Sequence, residues 1–98
     1  MSDTLIKDLG EYKEIYLYGA GNIGKGVAKL LLLYYPDISI KGILVTDLNN
    51  NPFSVYGIPV LEAGAVIDKK TATVLVTVAE RSQDEIIAYL ADLGFQYF

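Results

Sequence analysis

The residues best suited to chemistry lie in the run Tyr18-Gly19-Ala20-Gly21-Asn22-Ile23-Gly24-Lys25-Gly26. Gly19, Gly21 and Gly24 fit the pattern G-x-G-x-x-G, which captures a phosphate with backbone rather than side chains. In that pattern Gly19 allows a tight turn and Gly21 lets a pyrophosphate approach the main chain. Gly24 lets the following helix pack closely. N–H groups left free at the helix start, together with the helix dipole, favour an anion at that point. Asn22 and Ile23 would lend their N–H groups to it. A strand–glycine–helix corner is also how this kind of fold turns without any ligand, so a binding and a purely structural reading stand side by side. Gly19 and Gly24-Lys25 fit the phosphate loop G-x-x-x-x-G-K as well. The next position there must be Ser or Thr to hold Mg²⁺, and here it is Gly26, which offers no metal ligand.

Asp47 lies 23 positions after Gly24, near the ~20-residue offset at which an acid takes a ribose hydroxyl in NAD-type sites. A carboxylate there disfavours the 2′-phosphate of NADP. An Asp opening an Asn-rich loop reads equally as an Asx-turn. Thr77, Glu80 and Arg81 stand at the end of a later strand and should line the same crest, where open α/β sheets bind ligands. The 98 residues contain no cysteine and no histidine. That removes the thiolate nucleophile, the commonest general base and the usual zinc ligands. The acids are scattered over loops and exposed helix faces, so no catalytic pair and no metal site emerges. A net charge of −4 argues against a nucleic-acid partner held by phosphate neutralisation.

The elements that must position these residues follow from periodicity. Asp3 to Leu9 reads as a short helix with Leu5, Ile6 and Leu9 on one face. Ile15 to Tyr18 is a buried strand, and Asn22 to Tyr35 a helix with Ile23, Val27, Leu30, Leu31 and Tyr34 as its core stripe. Ala28, Leu32 and Tyr35 form a second apolar set, covered by another helix or marking an interface with a partner domain or a second copy. Ile38 to Thr46 is the second strand. Asp47 to Pro52 is a loop, and Gly57 a turn into a short strand that Pro59 confines to an edge or a strand start. Glu62 to Asp68 reads as a short helix and Thr73 to Val78 as a strand. Ser82-Gln83-Asp84-Glu85 reads as a capping box opening a helix that Gly94 ends. Phe95 to Phe98 is the last strand. Continuous apolar strands alternating with helices predict a small doubly wound, Rossmann-like α/β fold: a parallel sheet of about five strands with helices on both faces.

At 52% hydrophobic, the chain has the apolar surface that folding needs. The run Leu30 to Tyr35 falls far short of the ~20 residues of a membrane helix. With neither a signal-peptide pattern nor cysteine, the sequence predicts a cytoplasmic location. The apolar ending Gly94-Phe95-Gln96-Tyr97-Phe98 predicts one domain of a longer protein.

Ile15-Tyr16-Leu17-Tyr18-Gly19-Ala20-Gly21 with Ile23-Gly24-Lys25 resembles the start of small Rossmann-like domains of bacterial sugar-modifying proteins. So do Ile40 to Asp47, Asn51-Pro52, Gly57-Ile58-Pro59-Val60, Val74 to Thr77, Gln83 to Ile86 and Leu93-Gly94-Phe95. Domains of that kind precede glycosyltransferase modules or similar enzymes of surface polysaccharide synthesis. A similar domain opens the sugar-nucleotide acyltransferases, where it holds the nucleotide of the sugar donor. The resemblance implies nucleotide contacts at Gly19, Gly21, Asn22 and Asp47. The acyltransferases commonly carry a histidine around the Asn22-Ile23 stretch, and this chain has none. The expectation is therefore an accessory domain binding a nucleotide, a nucleotide-sugar or NAD, with catalysis left to an attached domain. The alternatives are a non-binding scaffold with a vestigial turn and an NAD-binding fragment of an oxidoreductase.

Overall fold

The computed structural model describes residues 14–49 and 51–98; the expected helix over residues 3–9 lies outside them. Five strands form one sheet: β1 (Glu14–Tyr18), β2 (Ser39–Val45), β3 (Ser54–Val55), β4 (Ile58–Glu62) and β5 (Val74–Val76). Their order is β3-β4-β2-β1-β5. β1 runs parallel to β2 and β5, and β2 runs parallel to β4. Helix α1 (Asn22–Tyr34) joins β1 to β2, and α2 (Glu80–Leu93) follows β5.

Strand alternation sorts the core into two layers. Ile15 and Leu17 pack with Ala28 and Leu31 of α1 on one face. Tyr16 and Tyr18 point the other way, towards Leu90 and Ile86 of α2. In β2 the alternation slips once: Ile40, Ile43 and Val45 all belong to the α1 layer. The register explains it, because Ile15 pairs with Ile40 while Tyr16 pairs with Gly42, leaving Lys41 as the extra residue of a bulge. Gly42 is the glycine such an irregularity favours.

The structure corrects several expectations. The sheet is not wholly parallel, since β3 and β4 form an antiparallel hairpin. Its two-residue loop is Tyr56-Gly57, with φ of 52° and 79°, the left-handed pair that a type I′ turn requires. Pro59 lies at the strand start, and the β2–β4 ladder begins only at Val60. Residues 62–68 form no α-helix, only a 3₁₀ turn at Ala63–Ala65. Gly64 and the β-branched Val66 and Ile67 make so short a segment a poor helix. Lys69 instead donates to the carbonyls of Gly64 and Val66, at 2.9 and 2.6 Å. Phe95 to Phe98 forms no strand but a single parallel bridge, Thr73 to Tyr97.

The capping box does not form either. α2 begins three residues earlier with Ala79 as its N-cap, so Ser82 already lies in the first turn and donates its N–H to Ala79 O at 2.8 Å. Gly94 does end the helix, in the left-handed conformation at φ 109°. Finally, the expected stripe of α1 holds only in part: Leu31 is buried and Val27 and Leu30 pack against the same layer. Gly24, Ala28 and Leu31 are its buried residues, while Ile23 and Tyr34 are exposed. At the start of the helix the small Gly24 and Ala28 take the inward face because the helix sits directly on the turn that precedes it.

Candidate functional site

The glycine turn lies at the carboxyl end of β1, between the ends of β2 and β5. Its three glycines are held by different causes. Gly19 adopts φ +115°, and a Cβ there would lie 2.8 Å from Thr77 O and 3.1 Å from Val78 Cγ1. Gly24 meets the turn itself: a Cβ would lie 1.9 Å from Gly19 O. Both are required by the fold. Gly21 is not. Its φ is −79°, and no atom lies within 4 Å of where a Cβ would be.

Gly21 is also the N-cap of α1, so no side chain caps that helix, and its first turn carries no acid. The first bond of the helix runs from Lys25 N to Gly21 O at 2.9 Å. By helix geometry the N–H groups of Asn22, Ile23 and Gly24 have no partner within the helix. Asn22 and Ile23 are exposed, as is Lys25 on the next turn. Beside them begins α2, whose N-cap Ala79 likewise offers no side-chain bond. Two helix starts thus flank the gap between β1 and β5. The capping-box pattern concealed the second, because it placed the helix start at Ser82.

Thr77 stands at this crest but is buried. Its Oγ1 donates to Tyr18 O at 2.7 Å, and its N–H donates to the same oxygen at 2.9 Å. Its hydroxyl therefore ties β5 to β1 beneath the turn rather than facing outward. Tyr18 OH and Thr46 Oγ1 share a hydrogen bond that ties β1 to the end of β2, a strut the sequence reading missed. The exposed Arg81 lies in the first turn of α2.

Asp47 follows β2 directly and is exposed. Its Oδ1 accepts the N–H of Asn49 at 2.8 Å, and its Oδ2 accepts Asn49 Nδ2 at 3.4 Å. Its carbonyl accepts Asn51 Nδ2 at 2.8 Å. This is the Asx-turn geometry of the two readings the sequence left open. A ribose hydroxyl would have to share oxygens already engaged by their own loop.

A second polar cluster lies towards the amino ends of the strands. Tyr16 OH donates to Asp68 Oδ1 at 3.2 Å, and Lys41 Nζ donates to Asp68 Oδ2 at 3.0 Å. Lys41 also lies 3.8 Å from Glu14 and 5.4 Å from the centre of the Tyr16 ring. The bulge in β2 puts Lys41 there. Its bond to Asp68 raises the ammonium above the ordinary lysine value and holds the Asp68 carboxyl below the ordinary carboxylate value. Burial, then Asp68, pushes the Tyr16 phenol up. A hollow of about 240 Å³ opens beside it, lined by Tyr16, Leu61, Ala65, Val66, Ile67 and Asp68. Its polar groups already satisfy one another, so the hollow presents no unspent donor.

Among the described residues no three metal-ligating side chains come together, and no helix is long and apolar enough to cross a membrane. Compared with models of known families, with characterised proteins and with solved structures, the chain matches none.

Proposed function

We propose that the crest of the sheet binds a phosphate-bearing nucleotide, with Gly19, Gly21, Asn22, Ile23 and Gly24 forming the phosphate turn. Gly21 carries this reading: neither packing nor backbone conformation requires glycine there, yet its missing side chain leaves open space before an uncapped helix start. That is where a pyrophosphate needs close backbone approach. The parallel order β4-β2-β1-β5, with α1 and α2 packed on opposite layers, supports a doubly wound, Rossmann-like arrangement. In that arrangement ligands sit where the chain direction through the sheet reverses, here between β1 and β5.

By the resemblance of its sequence, the chain is an accessory domain of a bacterial carbohydrate-active transferase working in the cytoplasm. The ligand is then a nucleotide or nucleotide-sugar, and an attached domain performs the transfer. Asp47 flanks the ribose side and Thr77 holds the turn from below. A second reading, a scaffold with a vestigial turn, is favoured by one observation: the Asp47 carboxylate is already engaged by Asn49.

Calorimetry and thermal melting against UDP, UDP-sugars, CDP, AMP and NAD separate the two. At ten times its Kd a ligand stabilises by about 1.4 kcal/mol, which raises Tm by roughly 5–10 °C in a chain of this size. Gly21→Val should abolish that shift while lowering intrinsic stability by less than about 1 kcal/mol. Failure of every nucleotide at millimolar concentration leaves the scaffold reading, and a response to NAD alone assigns an oxidoreductase fragment.

A further inference from the structure

One face of the sheet is only partly covered. α1 carries the chain from β1 to β2, so it lies over those two strands. β5 stands on the other side of β1, and α2, which follows it, packs on the opposite layer. Among the described residues no helix covers β5 on the α1 side. Leu75 of β5 nevertheless belongs to that layer, and it is half-buried.

The flank of α1 beside this gap is apolar. Crossovers between parallel strands are right-handed, and a helix turns about 100° per residue. With Gly24, Ala28 and Leu31 facing the sheet, Ile23, Val27, Leu30 and Tyr34 form the flank towards β5. Lys25, Lys29 and Leu32 form the flank towards β2. Val27 and Leu30 are half-buried and pack in the same layer as Leu75. Ile23 and Tyr34, at the two ends of the row, are 50% and 73% exposed. Together they make a trough about 16 Å long, with Leu75 as its floor and α1 as one wall.

We infer that residues 3–9 of the same chain, which lie outside the described residues, fill this trough as a short helix. Leu5, Ile6 and Leu9 lie against Ile23, Leu30, Tyr34 and Leu75. Pattern, reach and tethering select this occupant. As a helix, residues 3–9 put Leu5, Ile6 and Leu9 within one arc and Asp3, Lys7 and Asp8 outside it. Only residues 10–13 separate that helix from Glu14, the start of β1, and β1 is the direct neighbour of β5. Four extended residues span ~13 Å. That covers the ~10 Å between packed layers and the ~5 Å step from one strand to the next. A helix descending here into β1 keeps the hand of the α1–β2 unit. A tether this short holds the segment at an effective concentration on the order of millimolar, which a second copy or a separate partner would have to exceed.

The chain contains no cysteine, so engineered pairs give a direct test in the full chain. In the inferred packing Leu9 and Tyr34 both lie at the amino ends of the strands. Leu9→Cys with Tyr34→Cys should close an intramolecular disulfide on oxidation, whereas Leu9→Cys with Lys29→Cys, on the far flank, should close little. In the parent chain, nuclear Overhauser contacts from the Leu5, Ile6 and Leu9 methyls should reach those of Ile23, Leu30 and Leu75. Ile6→Asp should lower Tm by roughly 8–16 °C, the loss of one buried side chain, and Lys7→Gln by less than about 2 °C. Disulfide-linked dimers as the main product would give the trough to a second copy and overturn the inference. So would random-coil shifts throughout residues 3–9, contacts from those methyls to another face, or an unchanged Tm in Ile6→Asp. The Overhauser contacts are read in the parent, so they decide the outcome even where a variant fails to fold.

Discussion

Two polar regions occupy opposite ends of the sheet, and they differ in what is left over. At the amino ends, Tyr16, Lys41 and Asp68 use one another: the phenol and the ammonium both donate to the same carboxylate. At the carboxyl ends, two helices start without side-chain caps, and a glycine stands where no atom of the fold requires it. The first region pairs its charges with one another and borders a hollow; it is self-satisfied and fastens the 66–73 connection to the sheet. The second retains backbone donors facing open space at an uncapped helix start. Unspent hydrogen-bonding capacity is what distinguishes the proposed binding crest from the brace.

Substitutions can break this contrast, and their expected effects fall in order. Gly24→Ala should be the most damaging. Its Cβ would meet Gly19 O at 1.9 Å, and helix and turn cannot separate without opening the core, so a loss of about 3 kcal/mol or more is expected in urea denaturation. If Gly24→Ala folds as stably as the parent, the close seating of α1 on the turn is wrong. Gly21→Val sits three residues away and should behave oppositely, sparing the fold and removing the nucleotide response. At the other end of the sheet, Tyr16→Phe removes one hydrogen bond to Asp68 and should cost about 1 kcal/mol. Nucleotide affinity should not change, which isothermal titration would check.

The smallest effect concerns pH. The Asp68 carboxyl is held below its ordinary value of 3.8, chiefly by the Lys41 bond. Its contribution to stability is therefore complete above that value and lost as pH falls through the depressed one. Asp68→Asn should flatten the acid limb of a Tm-against-pH curve below about pH 4. The change is modest because the Asp68 side chain is 39% exposed and solvent screens the pair. An unchanged acid limb would show that the brace contributes nothing through its charge.

Local order was largely legible in the residues. The glycine turn, its strand and its helix lie where the pattern placed them, because Gly19 takes a left-handed conformation and Gly24 a close contact, and other residues can follow neither. The strand Ile43-Leu44-Val45 and the stop at Gly94 were equally plain. Less was legible wherever the outcome depends on a neighbour distant in sequence. Apolar periodicity put Ile23 and Tyr34 in the core of α1 along with Leu31. Leu31 is buried there, but the approach of Gly24 to the Gly19 carbonyl turned Ala28 inward and left Ile23 and Tyr34 exposed. The hydroxyl and glutamate of Ser82-Gln83-Asp84-Glu85 suit a capping box. The path of the chain out of β5 started the helix at Glu80 before that box could form.

The site divides along the same line. By itself, the sequence determined a glycine turn between the first strand and the first helix, and excluded any site built on cysteine or histidine, since the chain has neither. It also determined the Asx-turn capacity of the Asp47 loop. Only the tertiary structure decided which glycines the fold needs and which it does not. It decided as well that Thr77 faces inward, and that Lys41 leaves the strand ladder at a bulge to join Asp68 and Tyr16. Each of these depends on steric contact or hydrogen bonding between segments far apart in the chain, and such contacts exist only once the sheet has brought the segments together.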